Sequence, residues 1–148
     1  MLDDWSDCIF LLRDSILGLL SFTDEVKAVA NKLQKLGHDV ILPNGVIIDA
    51  IHLENFDPVE AKRGNGYDFI REYFKKIEES DAMLVCNFTK NGIDNYIGAN
   101  TFLEMGFAYY IEKPIYALNP LPDYKYINDE LLNFDVKVIN GDLSKIKQ

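Results

Sequence analysis

The run Ala82-Met83-Leu84-Val85-Cys86-Asn87 is almost wholly apolar and sits between two stretches of helical periodicity. A strand with no polar face must be covered on both sides, which places it inside a sheet with helices above and below. Before it, residues 67–80 gather Ile70, Tyr73, Phe74 and Ile77 on one face, with Arg71, Glu72, Lys75, Lys76, Glu78 and Glu79 elsewhere, the pattern of an amphipathic helix. After it, beyond a loop at 88–98, residues 100–112 carry Leu103, Phe107, Tyr110 and Ile111 as the apolar face of a second helix.

The same alternation continues in both directions. Ile16-Leu17-Gly18-Leu19-Leu20 reads as a buried strand, and Ser21-Phe22-Thr23-Asp24 supplies N-cap residues for a helix through Val26, Val29, Ala30, Leu33 and Leu36. Gly37 stops that helix, and residues 38–42 form a short strand closed by Pro43-Asn44-Gly45. Lys113-Pro114 ends the helix at 100–112, and Ile115-Tyr116-Ala117-Leu118 gives a fourth strand. A proline-punctuated loop at 119–122, a helix near 126–132, a strand at 136–139 and a short closing helix after Gly141 complete the chain. Residues 46–66, with Pro58 and Gly64-Asn65-Gly66, read as a loop or short helix. Strand, helix and strand at this spacing make right-handed crossovers between parallel strands. The expected fold is α/β: a three-layer α/β/α sandwich on a five-stranded, mainly parallel sheet of the flavodoxin or Rossmann kind. Residues 15–148 form one domain behind an N-terminal extension at 1–14, and ligands are expected at the carboxyl ends of the strands.

Composition narrows the partner. With 148 residues there is room for a single core, and 15 basic against 24 acidic side chains leave a net charge of −9. No broad basic face is available for a nucleic-acid polymer, whereas backbone N–H groups at a helix N-terminus still suit a small anion. Cys8 and Cys86 stand far apart with no Cys-x-x-Cys, which points to buried thiols in a reducing cytoplasm rather than zinc or a disulfide. Arg13 and Asp14 interrupt the apolar stretch from Cys8 to Phe22, so neither a signal segment nor a membrane helix is expected. No metal and no cofactor are expected either.

Two loops leave the carboxyl ends of central strands and open into helices, Gly18 to Thr23 and Asn87 to Thr101. In the second, Gly98 and Ala99 allow close approach to the backbone and Asn100 or Thr101 is placed to cap the helix. Glu104, one turn inside, is open to two readings: a capping or dipole-favoured carboxylate, or one that faces the ligand cleft, with Gly106 and Ala108 thinning the helix surface nearby.

Three stretches together carry a resemblance: Ser80-Asp81-Ala82-Met83-Leu84-Val85, Gly98 through Gly106-Phe107-Ala108, and Lys113-Pro114-Ile115-Tyr116. With Gly18 to Phe22 and Leu36-Gly37-His38-Asp39-Val40 before them, the chain resembles the nucleoside 2-deoxyribosyltransferase superfamily, which includes the 2′-deoxynucleoside 5′-phosphate N-hydrolases. The resemblance implies that Glu104 is a nucleophile that attacks the anomeric carbon of a (deoxy)ribosyl group, forming a glycosyl-enzyme ester resolved by water or a second base. It implies that Gly18 and Phe22 lie along sugar and base, that Ser21, Gly98, Asn100 and Thr101 contact hydroxyls or phosphate, and that the protein is a homodimer or higher homo-oligomer. Tyr96 is a further candidate ligand contact. The chain departs from the family at Tyr73, where an aspartate usually assists the leaving base, and at Gly98, where some members carry an acid; Asp94 and Asp68 are the loop acids nearest in role. A looser similarity joins Gly98-Ala99-Asn100-Thr101-Phe102-Leu103-Glu104 to the glycine-rich element of nucleoside monophosphate phosphoribohydrolases, which break the same kind of bond.

The expected partner is therefore a small nucleoside or nucleotide. Base, sugar, phosphate requirement and acceptor are left open by the sequence. The rival reading is a catalytically silent nucleotide-binding or sensor protein, and a flavodoxin-like flavin protein is disfavoured because the first loop lacks a Ser/Thr run. His38 reads as a turn residue, His52 as a residue of the loop at 46–66, Trp5 as packing for the extension, and Tyr109 and Tyr110 as core.

Overall fold

In the computed structural model, which describes residues 8–12, 24–41, 69–90 and 92–147, all of strand β3 (Ala82–Val85) is buried. Its side chains alternate between two cores, as the two-residue period of a strand requires. Ala82 and Leu84, with Cys86 just beyond, join Val26, Val29, Ala30 and Leu33 of α1 (Asp24–Lys35). Met83 and Val85 join Ile77 of α2 (Phe69–Glu79) and Met105 and Ala108 of α3 (Ala99–Tyr110). The fold is mixed α/β, as the sequence pattern requires.

The remaining strands are β1 (Cys8–Leu12), β2 (Asp39–Ile41), β4 (Ile115–Ala117) and β5 (Lys137–Val138), in the sheet order β2-β1-β3-β4-β5. β3, β4 and β5 run parallel, in the register Met83↔Ile115 and Tyr116↔Lys137. β1 runs antiparallel to both neighbours, with Leu11 opposite Val40 on one side and opposite Ala82 on the other. A strand thus comes from inside the stretch expected as an extension, and the described sheet is mixed in direction and not mainly parallel. The physical reason lies in the sequence, where Cys8-Ile9-Phe10-Leu11-Leu12 and Ile16-Leu17-Gly18-Leu19-Leu20 are both apolar runs of strand length. Period alone does not rank two such runs. Residues 16–20 and 46–66 lie outside the described residues.

Local signals fix the helix ends. α1 carries Asp24 and Glu25 in its first turn and Lys32 and Lys35 in its last, each sign at the dipole end that favours it. Gly37, at φ 88°, lets the backbone turn back so that the His38 N–H reaches the Leu33 carbonyl at 3.1 Å. α3 closes in the same way through Glu112 at φ 60°, with the Lys113 N–H on the Ala108 carbonyl at 2.9 Å. α4 (Asn128–Asn133) and a 3₁₀ turn at Leu143–Lys145 complete the described elements.

Candidate functional site

The site is built where β3 and β4 end side by side. Asn87, fully buried two residues past β3, has the task of satisfying its amide where water does not reach. Its Nδ2 donates to the carbonyls of Asn119 at 3.0 Å and Pro120 at 2.9 Å, and its Oδ1 accepts from the Asn119 N–H at 2.9 Å. Asn119 returns the bond through its own Nδ2 to the Asn87 carbonyl at 3.1 Å. The loops that follow two adjacent parallel strands are thereby tied to each other.

From Asn87 the chain folds back on itself. Lys90 and Ile93 exchange backbone hydrogen bonds, Gly92 takes φ 73° in the turn between them, and the Tyr96 N–H donates to the Phe88 carbonyl at 3.1 Å. Asp94 accepts from the Thr89 hydroxyl at 3.0 Å, which commits this loop acid to its own loop. The Lys90 ammonium lies 5.7 Å from the centroid of the half-buried Tyr96 ring. Gly98 is the N-cap of α3 and no side chain caps the helix, so Asn100 and Thr101 stand inside the first turn and not at the cap expected of them. The Gly98 carbonyl accepts from the Phe102 N–H at 2.9 Å.

Thr101, Glu104, Met105 and Ala108 form the buried stripe of α3, at the i, i+3, i+4, i+7 spacing of one helix face. Glu104 is 2% exposed. It is the sole charged residue of α3, and it belongs to the face turned toward the core and not to a solvated one. Gly106 points elsewhere, toward Phe134, whose ring lies 3.7 Å from where a Cβ would stand. Tyr110 is exposed, a correction to its expected packing role, because it falls on the far side of the helix from that stripe; Tyr109, half exposed, keeps a ring contact with Phe134 at 5.5 Å.

α2 packs on α3 through Phe74 and Phe107, whose rings stack with centroids 4.1 Å apart and planes within 1° of parallel. Tyr73 is buried beside this contact, and the half-buried Lys76 holds its ammonium 5.5 Å from the Tyr73 ring centroid. Burial pushes the Lys76 ammonium below its ordinary value, and the negative charges of Glu72, Glu104 and Glu79 push the other way. On the opposite flank, burial pushes the Tyr124 phenol up; a backbone hydrogen bond at Ile97 opposes this, and Tyr126 and Tyr96 add to it.

The structure thus brings Gly98, Asn100, Thr101 and Glu104 together at the start of one helix, with Tyr96 just before it. Gly18, Ser21, Phe22, His52 and Asp68 lie outside the described residues. His38 is half-buried at the end of α1, as a turn residue. Asn87, Lys76 and Tyr124 were missed by sequence reasoning. The signal for Asn87 was present as a polar residue closing an apolar strand, whereas nothing in the local sequence sets Lys76 or Tyr124 apart. Among the described residues no group of three or more metal-ligating side chains converges, and no helix is long and apolar enough to cross a membrane. Compared with family models, with curated proteins and with solved structures, the chain matches none.

Proposed function

We propose that the chain cleaves or transfers at the N-glycosidic bond of a (deoxy)nucleoside or nucleoside 5′-monophosphate, with Glu104 as nucleophile. One observation carries this reading: the only charged residue of α3 is buried on its core-facing stripe, one turn inside a helix that starts at a small-residue loop beside the carboxyl end of β3. A carboxylate placed there for packing alone would be an expensive choice, since burying charge is unfavourable without a compensating role. The Glu104 carboxylate attacks the anomeric carbon as the bond to the base breaks, and the electron pair of that bond leaves with the base, which takes up a proton. Water then cleaves the glycosyl ester and regenerates the carboxylate, or a second base accepts the sugar and gives up its N–H proton. Gly98, Asn100 and Thr101 are the proposed contacts for hydroxyls or phosphate, joined by Tyr96, Gly18, Ser21 and Phe22.

The resemblance to the nucleoside 2-deoxyribosyltransferase superfamily belongs to the same proposal. So does the three-layer α/β/α arrangement, which the two cores flanking β3 support. A homodimer or higher homo-oligomer is proposed on the resemblance, with the exposed Leu103, Tyr109, Tyr110 and Leu132 as apolar surface in favour of it. A reducing cytoplasm suits the buried thiol of Cys86.

The test is a panel of nucleosides and 5′-monophosphates, each with and without a second base, run with wild type and Glu104→Gln. Base release by wild type, reduced at least about a thousandfold in the variant while circular dichroism stays unchanged, is the expected outcome. No base release from any substrate by folded wild type overturns it. A second reading, a silent nucleotide-binding protein, is favoured by Tyr73: where the similar family carries an aspartate, this chain has a buried phenol under Lys76. Calorimetric nucleotide binding without turnover, equal in wild type and Glu104→Gln, would establish that reading instead.

A further inference from the structure

An asparagine followed by glycine is the pair in which a chain most readily attacks itself: with no side chain on the second residue, its backbone nitrogen can reach the asparagine Cγ. Four such pairs occur here, Asn44-Gly45, Asn65-Gly66, Asn91-Gly92 and Asn140-Gly141, and the last lies wholly within the described residues. It follows β5 at the carboxyl edge of the sheet. Asn140 takes φ 48° and Gly141 φ 77°, and the Asp142 N–H donates to the Ile139 carbonyl at 3.0 Å, which makes residues 139–142 a type I′ turn. Both central residues are exposed, so water and hydroxide reach them. The Gly141 N–H is nonetheless committed. It donates to the Leu118 carbonyl at 2.8 Å, extending past β5 the pairing in which the Ile139 N–H meets the Ala117 carbonyl at 2.9 Å. The core holds the turn from behind, since Ile139, Leu143 and Ile146 are buried in one cluster with Leu84 and Leu118. Asp142 fastens its outer side by accepting from the Ser144 N–H at 3.1 Å and from the Ser144 hydroxyl.

We propose that Asn140 is a modification site gated by the fold: it deamidates through its own backbone when the turn at 139–142 opens, and is kept intact while the turn is closed. The chemistry needs no partner but water. The Gly141 nitrogen loses its proton and bonds to Asn140 Cγ, and the side-chain nitrogen takes up a proton and leaves as ammonia. Water then opens the five-membered imide. Cleavage of the bond from the nitrogen to Cγ gives aspartate, and cleavage of its bond to the main-chain carbonyl carbon gives isoaspartate. Two features of the closed turn oppose the first step. Attack requires rotation about the Cα–C bond of Asn140, which swings the Gly141 nitrogen out of the turn and off the Leu118 carbonyl. Loss of the Gly141 proton is also resisted while that proton is shared in a hydrogen bond. Isoaspartate, once formed, lengthens the main chain by one carbon and takes the Gly141 N–H out of register with Leu118. Leu118 directly precedes Asn119, whose bonds to Asn87 tie the loops after β3 and β4. Modification at Asn140 thus loosens that edge of the sheet from the β5 side, whatever the role of Glu104.

The full chain is aged at mildly alkaline pH, both in native buffer and in guanidinium chloride that unfolds it. Peptide mapping by mass spectrometry then follows the asparagine, aspartate and isoaspartate forms at position 140. Loss of Asn140 is expected to be at least about tenfold slower in the native protein than in the unfolded chain, because the turn must first open. Ile146→Ala removes a core contact behind the turn, and Asp142→Ala removes the bonds to Ser144 while leaving the core whole. Each is expected to speed the native loss of Asn140 several-fold, measured against its own unfolded rate. Aged wild type should also melt at a lower temperature than fresh protein. Asn140→Gly, which suits a type I′ turn and carries no amide, is aged in parallel to subtract what the other three pairs contribute. A native rate equal to the unfolded one, or one that neither variant changes, overturns the gate. An Asn140 that persists even in the unfolded chain overturns the site itself.

Discussion

Asn87 is fully buried, yet each polar atom of its amide has a partner in the loop after β4. Removing it leaves two carbonyls and an N–H without the partner they fold against, and a buried polar group so deprived is destabilising by about 1–3 kcal/mol. Asn87→Ala is therefore expected to lower stability by about 3 kcal/mol in urea denaturation. Asn87→Asp should fare no better, since it keeps the acceptor but sets a carboxylate oxygen against the carbonyls of Asn119 and Pro120. At this scale the sequence was legible for Glu104, whose residue type and place after Gly98 mark it among 24 acids. It was illegible for Asn87, because what it does depends on a partner across the fold: Asn119 on the neighbouring strand's loop.

Element by element, legibility followed periodicity. The helices expected at 67–80 and 100–112 are found at Phe69–Glu79 and Ala99–Tyr110, and the strand at 136–139 shrinks to Lys137–Val138. Boundaries drift because capping is decided by a few local bonds: at α3 the cap fell to Gly98 and not to the better capping side chains that follow it. β1 is a strand the pattern left out: its apolar run at 8–12 lies three residues before the run at 16–20, which is outside the described residues, and was set apart with the extension. Within α3, Gly106 occupies an interior helical position whose added Cβ would meet the Phe134 ring at 3.7 Å, an ordinary contact. Gly106→Ala is expected to stabilise the protein by about 0.5–1 kcal/mol, the difference in helix propensity, and thermal unfolding would show it as a raised Tm. A lowered Tm would mean that the α3 backbone depends on Gly106 for more than spacing.

At the scale of the whole molecule, β3 is the wall common to two cores. Leu84 and Met83 are both fully buried, but Leu84 packs toward α1 and Met83 toward α2 and α3. Each truncation to alanine is expected to lower stability by about 2–5 kcal/mol. Because the two side chains share no cluster, their effects should add within about 0.5 kcal/mol in a double-mutant cycle, with the urea m-value unchanged. An interaction energy well beyond that would show that the cores communicate through the backbone of β3.

The ends of the sheet carry a consequence for how copies of the chain meet. β5 is two residues long and begins with Lys137, and β2 is three residues long and begins with Asp39. Outermost strands so short, each with a charged side chain, offer hardly any backbone for another chain to extend in register. In the described sheet, growth from molecule to molecule by adding strands finds hardly any backbone at the β5 side. What remains for self-association is the helical exterior, where Leu103 and Tyr110 of α3 and Leu132 of α4 stand in solvent. An assembly made there would be helix-faced, with the sheet of each copy left intact inside it.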